Sequence, residues 1–83
     1  MNKKQMAELL KYASPYSILV VTYQDKILEL QCPFRVMIKA NVGDLKQGNI
    51  VNVEMVKLST KLKTVFKIKG DAYYYWHFNI LID

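Results

Sequence analysis

Hydrophobic and polar positions alternate most cleanly near the end of the chain. Tyr74, Trp76, Phe78, Ile80 and Ile82 share one side of an extended segment, and Tyr73, Tyr75, His77 and Asn79 share the other. Period-two alternation predicts a half-buried strand over 73–82, and clustered rings suit a pleated surface better than a helix. Just before it, Leu62, Thr64, Phe66 and Ile68 alternate with Lys61, Lys63, Val65, Lys67 and Lys69. The apolar match between these strands predicts a three-residue loop, Gly70-Asp71-Ala72. Lys69 then faces Tyr73, Lys67 faces Tyr75, Val65 faces His77 and Lys63 faces Asn79, while Phe66 meets Trp76 and Ile68 meets Tyr74 inside. A two-residue loop at Gly70-Asp71 pairs Lys69 with Ala72 and throws the faces out of phase, because a one-residue slip reverses every side chain. The expected product is an outer face of interleaved lysines and tyrosines.

Upstream, Met6, Leu9, Leu10 and Ala13 recur at helical spacing, and Ser14-Pro15 supplies a stop. The spacing predicts an amphipathic helix over 1–14, with Asn2 as its cap. A β-rich run follows over 17–23, anchored by Ile18, Val20 and Val21, then a polar turn at Gln24-Asp25-Lys26. From Leu28 to Ala40 apolar residues keep every second position. Because Pro33 donates no ladder hydrogen bond, this run predicts strands near 27–32 and 34–40, or one strand bent sharply between two sheets. The segment 41–49 reads as a loop with Leu45 plugging the base of a barrel. Val51, Val53 and Met55 point one way, but the phase then changes to Val56 and Leu58, which predicts a bulge. With Ser59-Thr60-Lys61 as a loop, Leu58 meets Leu62, Val56 meets Thr64 and Lys57 faces Lys63; beyond the bulge, Val53 meets Ile68 and Glu54 faces Lys67.

These elements predict a single, mainly β (α+β) domain over 1–83. It is a small antiparallel, partly open barrel of five to six short strands over 17–82, with the N-terminal helix covering one end. The pattern Leu45-x-x-Gly48-x-x-Val51-x-Val53, followed by two hairpins, resembles the turn-then-strand pattern of SH3-like small barrels over about half of the chain. An OB-like barrel is the competing architecture.

Composition narrows the function. An apolar share of 52% and a charged share of 23% over 83 residues fit one small globular core rather than a disordered chain. The lone Cys32 excludes an intrachain disulfide and suits a reducing, cytoplasmic setting. The N-terminus lacks the apolar run of a secretory signal, and no stretch is long enough to span a bilayer as a helix. Metal-ligand spacings and phosphate-cradling loops are absent, so no metal and no cofactor are expected. Cys32 falls in the inward phase and His77 in the outward one, and the carboxylates are scattered. No enzyme is expected.

One feature of the charge pattern points to a ligand. The net charge is +5, and Lys57, Lys61, Lys63, Lys67 and Lys69 fall close together with no acid among them. With Tyr73, Tyr75 and His77 they form the expected polyanion-binding face, since lysines neutralise phosphates and flat rings stack on unpaired bases. The broader expectation is a non-enzymatic interaction or accessory module that docks on an unknown protein partner or on a second copy of itself. Polyanion binding, with single-stranded nucleic acid as the partner, is the alternative. No membrane partner is expected.

Overall fold

The structure is a computed structural model, and it describes residues 6–82. Nine strands carry these residues: β1 (Met6–Ser14), β2 (Ser17–Thr22), β3 (Ile27–Gln31), β4 (Phe34–Ile38), β5 (Ile50–Val53), β6 (Met55–Leu58), β7 (Thr64–Ile68), β8 (Asp71–Tyr74) and β9 (Phe78–Leu81). A 3-10 turn, Tyr75–His77, separates the last two. The strands form two antiparallel sheets, ordered β3-β2-β1-β9-β4-β5 and β6-β7-β8. They do not close into a barrel, and they number more than the five or six expected.

The core lies between the sheets. Ile18, Val20, Val36, Ile38 and Ile80 from the larger sheet meet Val56, Phe66 and Ile68 from the smaller, and Val53 joins them. Phe66 is fully buried, edge-on to Phe34 at 5.3 Å between ring centroids and tilted against Phe78 at 6.0 Å. Edge-on pairs of this kind add about 0.5–1.5 kcal/mol beyond the area they bury. Leu45 is buried, as the loop pattern predicts, and it bridges back to Val42.

The phase change between Val53 and Val56 is real and large. At Glu54 the chain leaves the six-stranded sheet and enters the three-stranded one, so both valines point into the core from different sheets. The break at Cys32-Pro33 also agrees with the pattern: β3 ends before it and β4 begins after it. At the β2–β3 hairpin, the Thr22 carbonyl accepts the Asp25 N–H at 2.9 Å, and the Thr22 hydroxyl accepts N–H bonds from Gln24 and Lys26, each at 3.2 Å.

Three expectations are corrected. The N-terminal segment is a strand rather than a helix over its described part; residues 1–5 of the expected helix lie outside the described residues. β1 pairs with both β2 and β9, and register shifts between Leu9 and Lys11 and between Tyr12 and Ser14 insert extra residues. Ala7, Leu9 and Tyr12 therefore face the core at uneven spacing, and a strand with bulges imitates helical periodicity. Pairing on both sides overrides the helix preference of its Leu, Lys, Glu and Ala residues.

The second correction concerns the β7–β8 hairpin. Its loop is the two-residue Lys69-Gly70, so Ile68 pairs with Asp71, Phe66 with Tyr73 and Val65 with Tyr74. Both loop residues have positive φ, 52° and 86°, as a type I′ turn requires. Relative to the expected register, Tyr73 moves to the Phe66 side and Tyr74 to the outer side. The 3-10 turn then resets the phase, so Phe78 and Ile80 still point inward.

The third correction is the β6–β7 connection. It spans 59–63, and it pairs Leu58 with Thr64 and Lys57 with Val65 instead of Leu58 with Leu62 and Lys57 with Lys63. The Ser59 N–H donates to the Lys63 carbonyl at 2.8 Å, and the Lys63 N–H returns to the Ser59 hydroxyl at 3.1 Å. Leu62 sits at φ 61° in this loop, exposed rather than inside.

Candidate polyanion-binding face

The outer face of β6-β7-β8 follows from these registers. One row across the sheet reads Lys57, Val65, Tyr74, and the next reads Met55, Lys67, Ala72. The rows are two residues apart along each strand, about 7 Å, and neighbouring strands are about 4.8 Å apart. Lys57 and Lys67 thus stand diagonally on one surface. Lys57 is exposed and Lys67 half-buried.

Beside this lysine pair lies a stacked pair of rings. Tyr74 ends β8, and Trp76 enters the 3-10 turn two residues later. Their ring centroids are 4.3 Å apart with planes only 11° from parallel. Tyr74 is 40% exposed and Trp76 44%, so neither belongs to the core. Tyr75 and His77 meet Trp76 at its flanks, at 5.5 Å and 6.1 Å between centroids.

The sequence-derived candidates divide between this face and other places. Lys57 and Lys67 lie on it. Lys61 and Lys63 are exposed in the 59–63 loop at one end of the hairpins, and Lys69 is exposed in the two-residue turn at the other. Tyr73 faces the other side of the sheet, half-buried, with its ring edge-on to Phe78 at 6.1 Å. It also lies against Gly43, where a Cβ would come within 3.2 Å of its ring. Tyr75 packs against the core. His77 is half-buried, and its carbonyl accepts the Lys39 N–H at 2.9 Å. Tyr74 and Trp76 are the rings that the sequence reading assigned to the interior. A signal for Tyr74 is present, since Gly70 as the second residue of a two-residue turn shifts it onto the lysine side; Trp76 follows in the 3-10 turn, outside that register.

Electrostatics sharpen the face. Glu54 lies beside Lys67 as expected, its backbone N–H donating to the Lys67 carbonyl at 2.9 Å, but Met55 is the residue paired with Lys67 and the Glu54 carboxylate accepts the Gly70 N–H at 3.4 Å. Among the described residues no carboxylate forms an ion pair with Lys57, Lys61, Lys63, Lys67 or Lys69. Burial, then the Asp71 and Asp44 carboxylates, push the Tyr73 phenol up from its ordinary value. Burial likewise raises the Cys32 thiol, which leaves less thiolate for nucleophilic work.

No family model, curated protein or solved structure matches this chain.

Elsewhere on the molecule there is little that suits chemistry. Among the described residues no group of three or more His, Cys, Asp or Glu is placed to hold a metal ion, and no helix is long and apolar enough to cross a membrane. A shallow groove of about 430 Å³ runs between β3 and the start of β4, lined by Leu28, Leu30, Pro33, Phe34, Leu81 and Ile82. It does not reach the lysine face.

Proposed function

We propose that this chain is a binding module without catalytic machinery, and that the outer face of β6-β7-β8 takes a polyanion. The observation that carries the reading is the placement of Lys57 and Lys67 on one surface, with neither ion-paired among the described residues. Cationic side chains with no carboxylate partner retain their capacity to replace the counterions of a phosphate chain. Lys61, Lys63 and Lys69 extend the positive field to both ends of the hairpins. The reading places the protein in the cytoplasm, where a lone thiol stays reduced.

Salt titration tests it. If all five lysines engage phosphates of a single strand, log K falls with log salt at a slope of about −3.5. Between 50 and 200 mM salt the affinity then drops roughly a hundredfold. The double variant Lys57→Glu/Lys67→Glu weakens binding at least tenfold and flattens the slope. Binding that ignores salt, or no binding to oligonucleotide or heparin at 50 mM, defeats the proposal.

A second reading rests on the edge strand β3. Among the described residues it pairs only with β2, and Ile27, 62% exposed, and Leu28 leave it apolar. Such an edge accepts a partner strand, from another protein or a second copy. Sedimentation across concentration, with Ile27→Lys as the comparison, tests for the second copy. A monomer at every concentration removes that form of it.

A further inference from the structure

We infer that the polyanion is a single nucleic-acid strand, DNA or RNA, whose unpaired bases stack on the Tyr74–Trp76 pair. This rests on the polyanion reading and names its ligand. Three observations point the same way. The rings are already parallel at 4.3 Å, so the platform is formed before any ligand arrives. Trp76 remains nearly half exposed although Tyr74 covers part of it, which leaves ring surface open to solvent. Tyr74, on which Trp76 stacks, also shares a row with Lys57 across Val65, and Lys67 is in the next row, so a backbone held by the lysines carries its bases past the rings.

The alternatives meet these features less well. A duplex keeps its base faces stacked inside, so it engages the lysines and leaves the rings idle. An acidic protein segment satisfies the charges and has no flat group for the platform. A single strand satisfies both at once, as in other sheet surfaces that combine aromatic rings with a positive groove.

The chain has one tryptophan, so intrinsic tryptophan fluorescence reports on Trp76 alone. The full chain is titrated at 50 mM salt with a dT oligonucleotide, an rU oligonucleotide of equal length, a duplex of equal phosphate content, and poly-glutamate. The expected result is quenching by the single strands, with dT and rU separating the DNA and RNA sources. The duplex binds more weakly and leaves the fluorescence unchanged. Fluorescence anisotropy of end-labelled oligonucleotides, which needs no tryptophan, reads the variants: Trp76→Ala weakens the single strands by roughly 5- to 150-fold and leaves duplex binding as it was. Far-UV circular dichroism checks the fold of the variant. If it does not fold, Trp76→Phe, which keeps a flat ring, retains most single-strand affinity, and Trp76→Leu loses it.

Outcomes separate the two claims. Equal binding of duplex and single strand with no change at Trp76 overturns the stacking inference and leaves polyanion binding standing. Tighter binding of poly-glutamate than of either strand assigns the face to an acidic protein and overturns it too. No binding of any of the four titrants defeats both.

Discussion

Replacing Lys69 with asparagine should stabilise the protein, and the sign of the effect discriminates between the two hairpin registers. In the structure Lys69 occupies the first central position of a two-residue turn at φ 52°. A side chain with a Cβ held in the left-handed region costs about 1–2 kcal/mol relative to a relaxed one. Asparagine tolerates that region far better, and Asn-Gly is the favoured pair for this turn. Recovering about half of the cost gives a gain of about 0.5–1 kcal/mol. With a urea m-value near the low end for small proteins, about 1 kcal/mol/M, the midpoint rises by roughly half a molar or more. The converse change, Gly70→Ala, should cost about 1–2 kcal/mol. That cost is conformational alone, because nothing lies within 4 Å of a Cβ at that position. Urea unfolding followed by tryptophan fluorescence and far-UV circular dichroism measures both. In the three-residue register Lys69 is instead the last strand residue, facing Tyr73, where asparagine is a poor fit and destabilises. A lowered midpoint for Lys69→Asn refutes the two-residue turn and, with it, the outward placement of Tyr74.

Two further outcomes are expected. Phe66→Ala should cost about 3–5 kcal/mol in the same urea assay, as for other fully buried phenylalanines; a loss under 1 kcal/mol means that the ring is not enclosed by Phe34 and Phe78. Stability should also fall at alkaline pH. The raised values of Cys32 and Tyr73 mean that the folded chain holds those protons more tightly than the unfolded chain. Their stabilisation is complete below the ordinary thiol value of 9.0 and is lost as pH climbs through the raised values. Urea midpoints at neutral pH and at two alkaline values check this, with Cys32→Ala removing the earlier part of the decline. A midpoint that stays flat on the alkaline side contradicts it.

Much of the β architecture was legible because inward residues recur at every second position. Phe34, Val36, Ile38, Phe78 and Ile80 keep the inward side and Ile18 and Val20 are buried anchors, whereas Leu28 and Ala40, expected in the inward phase, are exposed. The phase slip between Val53 and Val56 was also readable: Glu54 and Met55 both oppose Lys67, and the slip coincides with a change of sheet. What escaped was local backbone geometry without a side-chain signature. The bulges in β1 spread Ala7, Leu9 and Tyr12 into a spacing that looks helical. Lys69 carries no mark of a left-handed conformation, so the turn was placed one residue late. Nothing in Tyr75-Trp76-His77 announces a 3-10 turn. The lysines of the candidate face were found from charge alone, whereas its rings were assigned to the interior by the mistaken register.

The position of β9 has a consequence for how this protein is made. It lies between β1 and β4, pairing Leu81 with Met6 and Ile80 with Val36. The meander of β1, β2 and β3 closes from local contacts soon after Gln31 leaves the ribosome. Its inner edge, and that of β4, must then wait for several seconds of translation at roughly 5–20 residues per second. A nascent chain stalled before Phe78 therefore exposes two adhesive borders at once, and the final strand acts as the zip that seals both.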